Sequence, residues 1–162
     1  VKKKIKTYKN KNLGIMNTIN PKFASIFLKS FYVKEIFSCT LNDILKKYAE
    51  NNKKFELIDA RSKNRFYGKE PEPREGLRSG SIPNSSCLPF GELINEDHTF
   101  KNIDQILKKF NNVLGGKIST NIVFSCGSGV TATVLALAYS LINNKYDPKI
   151  YDGSWVEYGK IK

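Results

Sequence analysis

The chain has 162 residues, 40% of them hydrophobic, and a formal net charge of +12. That is enough for one domain with a real core plus a tail, and too apolar for a disordered chain. No apolar run approaches the roughly 20 residues that span a bilayer, and the three cysteines (Cys39, Cys87, Cys126) are too scattered for a disulfide framework or a metal pattern.

The charge is unevenly placed. Residues 1–54 hold thirteen Lys and no Arg against three acids, whereas residues 55–162 hold fourteen basic residues against twelve acids. The basicity therefore belongs to a Lys- and Asn-rich front end, which reads as a solvated surface rather than a nucleic-acid arm. No nucleic-acid or membrane partner is expected. Unpaired cysteines favour a reducing compartment, cytoplasmic or, in a eukaryote, mitochondrial. The start carries charge without an apolar run, so no signal peptide is read there. Because residue 1 is Val, an upstream piece is expected to be missing.

Residues 1–37 read as a basic arm or linker, and residues 38–162 as one domain. Thr40 and Asp43 resemble a helix start, and Leu41, Ile44, Leu45 and Tyr48 follow at helical spacing. Residues 55–58 predict a strand with Asp59 at its end, and Ser62 caps a short helix through Phe66. Residues 67–81, rich in Gly, Pro and charge, predict a surface loop. A short strand around 86–88 and a helical piece at 90–94 follow. Asn102 caps a helix with Ile103, Ile106, Leu107 and Phe110 on one face, ended by Gly115 and Gly116. Residues 122–125 form a strand, residues 130–143 a helix, 149–151 the last strand and 154–158 a short helix. The alternation predicts an α/β fold, a mainly parallel central sheet flanked by helices. Ligands bind such sheets beyond the carboxyl ends of strands, where Asp59, Cys126 and Asp152 are expected.

Cys126 stands on a glycine-rich turn between a buried strand and a helix N-terminus. Unpaired N–H groups and the partial positive charge of a helix start favour a thiolate there. The bland alternative is a buried structural cysteine, but that role does not call for Gly127 and Gly129. The loop lacks Gly-Lys-Ser/Thr, which excludes a nucleotide-binding P-loop. A cysteine phosphatase needs an arginine six residues after the cysteine, where this chain has Ala132.

Cys126-Gly127-Ser128-Gly129-Val130-Thr131 resembles the active-site loop of the 3-mercaptopyruvate sulfurtransferases, a family within the rhodanese superfamily. Other stretches agree in order and spacing. They are Leu57-Ile58-Asp59-Ala60-Arg61, Arg65-Phe66-Tyr67-Gly68, Glu70-Pro71-Glu72-Pro73-Arg74, Leu77 to Pro83, and Tyr151-Asp152-Gly153-Ser154-Trp155-Val156-Glu157-Tyr158. The match covers residues from about 38 to 160. It implies a rhodanese-like three-layer fold and a sulfurtransferase without metal or organic cofactor. Cys126 takes sulfur from 3-mercaptopyruvate as a persulfide, pyruvate leaves, and a thiol acceptor such as thioredoxin, or cyanide in the assay tube, removes the sulfur. Ser128 assists proton transfer. Arg65 and Arg74 hold the substrate's carboxylate and carbonyl, an arginine fork being suited to a carboxylate; their bland alternative is salt bridging to Glu70, Glu72 or Glu75. Gly127, Gly129, Val130 and Thr131 complete the substrate- and persulfide-binding loop.

Thiosulfate-preferring relatives carry positive side chains inside the loop. Gly127 and Ser128 are neutral, which favours 3-mercaptopyruvate. A thiosulfate sulfurtransferase and a sulfur-carrying module without turnover are the alternatives. The family usually has two rhodanese-like domains; this chain resembles the second, and residues 23–33 resemble the linker before it. An N-terminal rhodanese-like domain is therefore expected upstream. Asp59 and Asp152 are expected to tie loops by accepting backbone N–H bonds, Arg61 to be structural, Trp155 to pack under the loop and His98 to be exposed. Cys39 and Cys87 are expected to be core or partly buried thiols. Tyr67 replaces a frequent family arginine, and Ser81 and Asn84 replace the usual histidine and glycine of a structural turn.

Overall fold

The computed structural model describes residues 37–39 and 55–161. The expected arm up to residue 36, the helix expected from Leu41 onward and the Cys39 side chain lie outside the described residues. The described elements are β1 (Phe37–Cys39), β2 (Glu56–Asp59), α1 (Lys63–Phe66), β3 (Ser86–Cys87), a 3-10 turn (Phe90–Leu93), α2 (Ile103–Leu114), β4 (Ile122–Ser125), α3 (Ala132–Ile142), β5 (Lys149–Tyr151) and α4 (Ser154–Tyr158). They form the expected α/β fold, around a five-stranded sheet of order β1-β5-β4-β2-β3. Every strand pairing in it is parallel. No helix among the described residues is long and apolar enough to cross a membrane.

β4 is the central strand because Ile122, Val123, Phe124 and Ser125 are all buried. A continuous apolar strand of this kind belongs where helices or loops cover both faces. Its alternation assigns those faces. Ile122 and Phe124 point into one core with Ile58, Ile106, Phe110, Leu135 and Tyr139. Val123 points into the other with Leu57, Ile82, Tyr151 and Trp155. Phe124 meets Phe110, Tyr139 and Tyr146 edge to face, with ring centroids 6.1, 5.9 and 5.9 Å away. Truncation of such a ring to alanine costs about 3–5 kcal/mol.

α2 follows the sequence logic at both ends. Asn102 and Gln105 form a reciprocal capping box, and Gly115 ends the helix. Ile106 and Phe110 are buried as expected, but Ile103 is exposed, because the first turn projects past the core. α3 begins at Ala132 rather than at 130, since Val130 and Thr131 still belong to the cysteine turn. Asn84 takes the left-handed conformation with φ 58°. Asparagine tolerates that region better than other residues with a Cβ, so it can stand where a glycine is usual.

The chain moves outward from β2 to β3, then returns on the other side of β2 as β4 and continues to β5. The reversal opens a crevice at the carboxyl ends of β2 and β4. Asp59 lies opposite Ser125 at that edge, and Ala60 N donates to Ser125 O at 2.8 Å. Cys126 is the next residue along β4.

Candidate active site

Cys126 is 2% exposed and sits at the wall of a cavity of about 220 Å3. The same cavity is lined by Gly127, Ser128, Val130, Thr131, Arg65 and Arg74. Glu72, Pro73, Leu77 and Val156 complete it. Every residue expected at the site meets there except Gly129, which lies buried beside the wall.

Gly129 has a structural task instead. Its φ is +83°, and a Cβ there would lie 2.9 Å from Asp152 Oδ1 and 3.0 Å from Asp152 O. Its N–H donates to Ser154 Oγ at 3.1 Å, so it is not free for substrate. The backbone tie expected of Asp152 is not found among the described residues. Asp152 packs against Gly129 with an exposed side chain that accepts no hydrogen bond among the described residues.

The loop is fastened from beneath by the first turn of α4. Ser154 Oγ accepts from Cys126 N at 3.1 Å as well as from Gly129 N, and donates to Tyr151 O at 2.7 Å. Trp155 N donates to Cys126 O at 3.0 Å and Val156 N to Gly127 O at 2.9 Å. The N–H groups of Gly127, Ser128, Val130 and Thr131 donate to no group among the described residues. α3 starts just beyond, with no side-chain cap on its first turn. The loop thus presents open donors at a helix N-terminus, a setting that attracts an anion.

Trp155 is buried beneath the loop, as expected. The guanidinium groups of Arg61 and Arg78 lie over its ring, 4.4 and 4.8 Å from the centroid. His98 is exposed in its turn.

Beside and under the cavity, a chain of charges alternates in sign. Buried Asp59 accepts from Arg61 N at 2.9 Å, the expected backbone tie, and pairs with the Arg61 guanidinium at 2.7 Å. Arg61 Nη1 donates to Glu72 Oε1 at 2.6 Å, and Arg65 Nη2 to Glu72 Oε2 at 2.5 Å. Burial alone would lower the Arg61 pKa, but its bonds to Asp59 and then Glu72 outweigh this and hold it above the ordinary arginine value. Arg65 therefore does pair with Glu72, but not at the surface, because the Glu72 side chain is 1% exposed. Arg65 also reaches the loop: a Cβ on Gly127 would lie 3.1 Å from its Nη2. Arg74 is exposed and forms no ion pair among the described residues.

Cys87 is half-buried, and its thiol lies 3.6 Å from Arg61 O. Burial, helped by the negative charge of Asp59, pushes it up to about 11. It is thus a poor second nucleophile near neutral pH. The sequence reading did not anticipate the task of Ser154, nor that Glu72 is buried and shared by Arg61 and Arg65. The signals were faint: a serine after Asp-Gly at a strand end, and a glutamate between two prolines.

The profile of the family described as "Rhodanese-like domain" matches residues 41–160. The chain is 43% identical over 104 residues to thiosulfate/3-mercaptopyruvate sulfurtransferase 1, mitochondrial, of Arabidopsis thaliana, covering 64% of this chain and 27% of the relative. It is 38% identical over 122 residues to 3-mercaptopyruvate sulfurtransferase of Mus musculus, covering 75% and 40%. The crystal structure of the Tum1 protein from Saccharomyces cerevisiae superposes with a TM-score of 0.67 at 31% identity, covering 75% of this chain and 43% of that one. The chain spans less than half the length of each of these relatives.

Proposed function

The chain belongs to the rhodanese-like domain family, and from that premise we propose that it is the catalytic part of a 3-mercaptopyruvate sulfurtransferase. The observation that carries this reading is the meeting of Cys126, its open backbone donors and two arginines in one cavity. A thiolate needs a nearby anion site to hold the sulfur it accepts, and a 2-oxo acid needs a cationic fork. Both requirements are met in the same cavity.

In the proposed reaction the Cys126 thiolate attacks the sulfur of 3-mercaptopyruvate. The S–S bond forms as the C–S bond breaks, and the electron pair leaves on carbon as the enolate of pyruvate. The enolate takes up a proton, with Ser128 assisting, and the persulfide loses one. Arg74, which has no ion-pair partner among the described residues, binds the carboxylate. Arg65 keeps Nη1 free of Glu72 and faces the carbonyl oxygen, where enolate charge develops. The N–H groups of Gly127, Ser128, Val130 and Thr131 cradle the persulfide anion. An acceptor thiolate then attacks the outer sulfur and releases the Cys126 thiolate, with no net oxidation.

We assign thioredoxin or a similar dithiol as acceptor, with cyanide as its substitute in vitro, and a reducing, cytoplasmic setting. The greater length of the relatives supports a second rhodanese-like domain beside this one in the intact protein. The test is sulfur transfer to cyanide from 3-mercaptopyruvate and from thiosulfate, in the wild type and in Cys126→Ser. Faster turnover with 3-mercaptopyruvate, abolished by the substitution, is expected. Full transfer by Cys126→Ser would refute the mechanism, and preference for thiosulfate would refute the choice of donor.

A further inference from the structure

We infer that Glu72 sets the charge the cavity accepts, selecting singly charged donors over doubly charged ones; this deepens the reading of the site as a sulfur-transfer centre and rests on it. Four residues form an unbroken series of ion pairs. Asp59 meets Arg61 at 2.7 Å, Arg61 meets Glu72 at 2.6 Å, and Glu72 meets Arg65 at 2.5 Å. Their formal charges cancel. Among the described residues, the only other charged side chain on the cavity wall is Arg74, and it has no ion-pair partner there. These charged side chains sum to one positive charge, which the Cys126 thiolate offsets. A donor with one carboxylate then adds one negative charge to the site. A dianion adds two, beside a carboxylate already present.

The position of Glu72 makes that penalty large. Its side chain is 1% exposed, so water screens it little. It engages Arg65 through both Nε and Nη2, at 3.3 and 2.5 Å. That double contact fixes the plane of the guanidinium and leaves the Nη1 edge for substrate. Arg61 offers nothing comparable, since Asp59, Glu72 and Gly80 O occupy its donors. Glu72 thus orients one cation and halves the net charge that two arginines would otherwise present. It is a positioning and specificity residue rather than a catalytic one. Specificity of this kind comes from what the site repels as much as from what it attracts.

The experiment measures kcat/KM for 3-mercaptopyruvate and for thiosulfate in the full chain, in Glu72→Gln and in Glu72→Asp. Glu72→Gln should move the ratio toward the dianion by about tenfold or more, while Glu72→Asp, which keeps the charge, should leave the ratio near the wild-type value. An unchanged ratio in a folded Glu72→Gln protein overturns the inference, and so does an equal shift in Glu72→Asp. A second measurement needs neither turnover nor the variants. Pyruvate and oxaloacetate, which differ by one carboxylate, are compared as protectants of wild-type Cys126 against iodoacetamide. Protection by pyruvate at the lower concentration supports the charge rule, and protection by oxaloacetate at an equal or lower concentration overturns it. If the wild type transfers sulfur from neither donor while pyruvate still protects better, the proposed reaction fails and the charge rule stands.

Discussion

The hydroxyl of Ser154 holds the backbone N–H of Cys126 at 3.1 Å, across 28 residues of chain. The same oxygen takes the N–H of Gly129 and donates its own proton to Tyr151 O. Ser154 does this from a left-handed backbone, φ 46°, and is fully buried. The consequence is selective. The Cys126 and Gly129 amides are taken, so the loop amides left without a partner among the described residues are those of Gly127, Ser128, Val130 and Thr131.

Removing that hydroxyl should disorder the cysteine turn. Ser154→Gly relieves the backbone but leaves buried donors and an acceptor unmatched, a cost of about 1–3 kcal/mol per group. Ser154→Ala loses the same bonds and keeps the left-handed strain of a Cβ, about 1 kcal/mol, that serine already bears. Urea unfolding should therefore rank stability as wild type, then Gly, then Ala. A glycine variant as unstable as the alanine variant would remove the strain argument.

Gly129→Ala should be worse for activity than for an ordinary loop position. Its Cβ would meet Asp152 O, a backbone atom, at 3.0 Å, with φ at +83°. Relief requires movement of the turn that carries Cys126. A loss of kcat of at least about tenfold, corresponding to about 1.4 kcal/mol, is expected in steady-state sulfur transfer.

Arg61 bridges two buried carboxylates under the site. Arg61→Ala leaves Asp59 and Glu72 without that cation and should cost about 3–5 kcal/mol in chemical denaturation. Arg61→Lys should recover only part of this, because lysine cannot reproduce the forked contact to Asp59. Full recovery by lysine would show that charge alone matters.

The two described free thiols should separate by pH. Cys87, held up at about 11, is protonated at neutral pH, whereas Cys126 lies at the wall of an open cavity. Iodoacetamide near neutrality should label Cys126 before Cys87, with Cys87 reacting only as pH approaches about 11. Peptide mapping reads this directly, and early labelling of Cys87 would contradict it.

Much of this arrangement is legible in the chain because it is local. The Asn102–Gln105 box, the apolar run of β4 and the glycine turn after it each carry their signal within a few residues. β1 is only three residues long and has too little pattern to predict. Asp59 and Asp152 both follow or end apolar runs, yet one is buried under Arg61 and the other is exposed. The difference comes from what packs above them. Ser154 and Glu72 are defined by partners far along the chain or across an aperiodic loop, so their roles emerge only when the sheet ends are brought together.

Arg74 lines the cavity without an ion-pair partner among the described residues, so Arg74→Gln should raise KM for 3-mercaptopyruvate by about ten- to a hundredfold, the range for losing a charged hydrogen bond. A kcat change without a KM change would assign it a different task.

In the proposed reaction, sulfur rests on Cys126 during transfer. The direct measurement is mass mapping of the wild-type chain after brief exposure to 3-mercaptopyruvate without an acceptor. The Cys126 peptide should gain one sulfur atom, in step with pyruvate released, and lose it on addition of cyanide or a dithiol. Pyruvate release with the Cys126 peptide unchanged, or added sulfur found on Cys39 or Cys87 instead, would contradict a persulfide on Cys126.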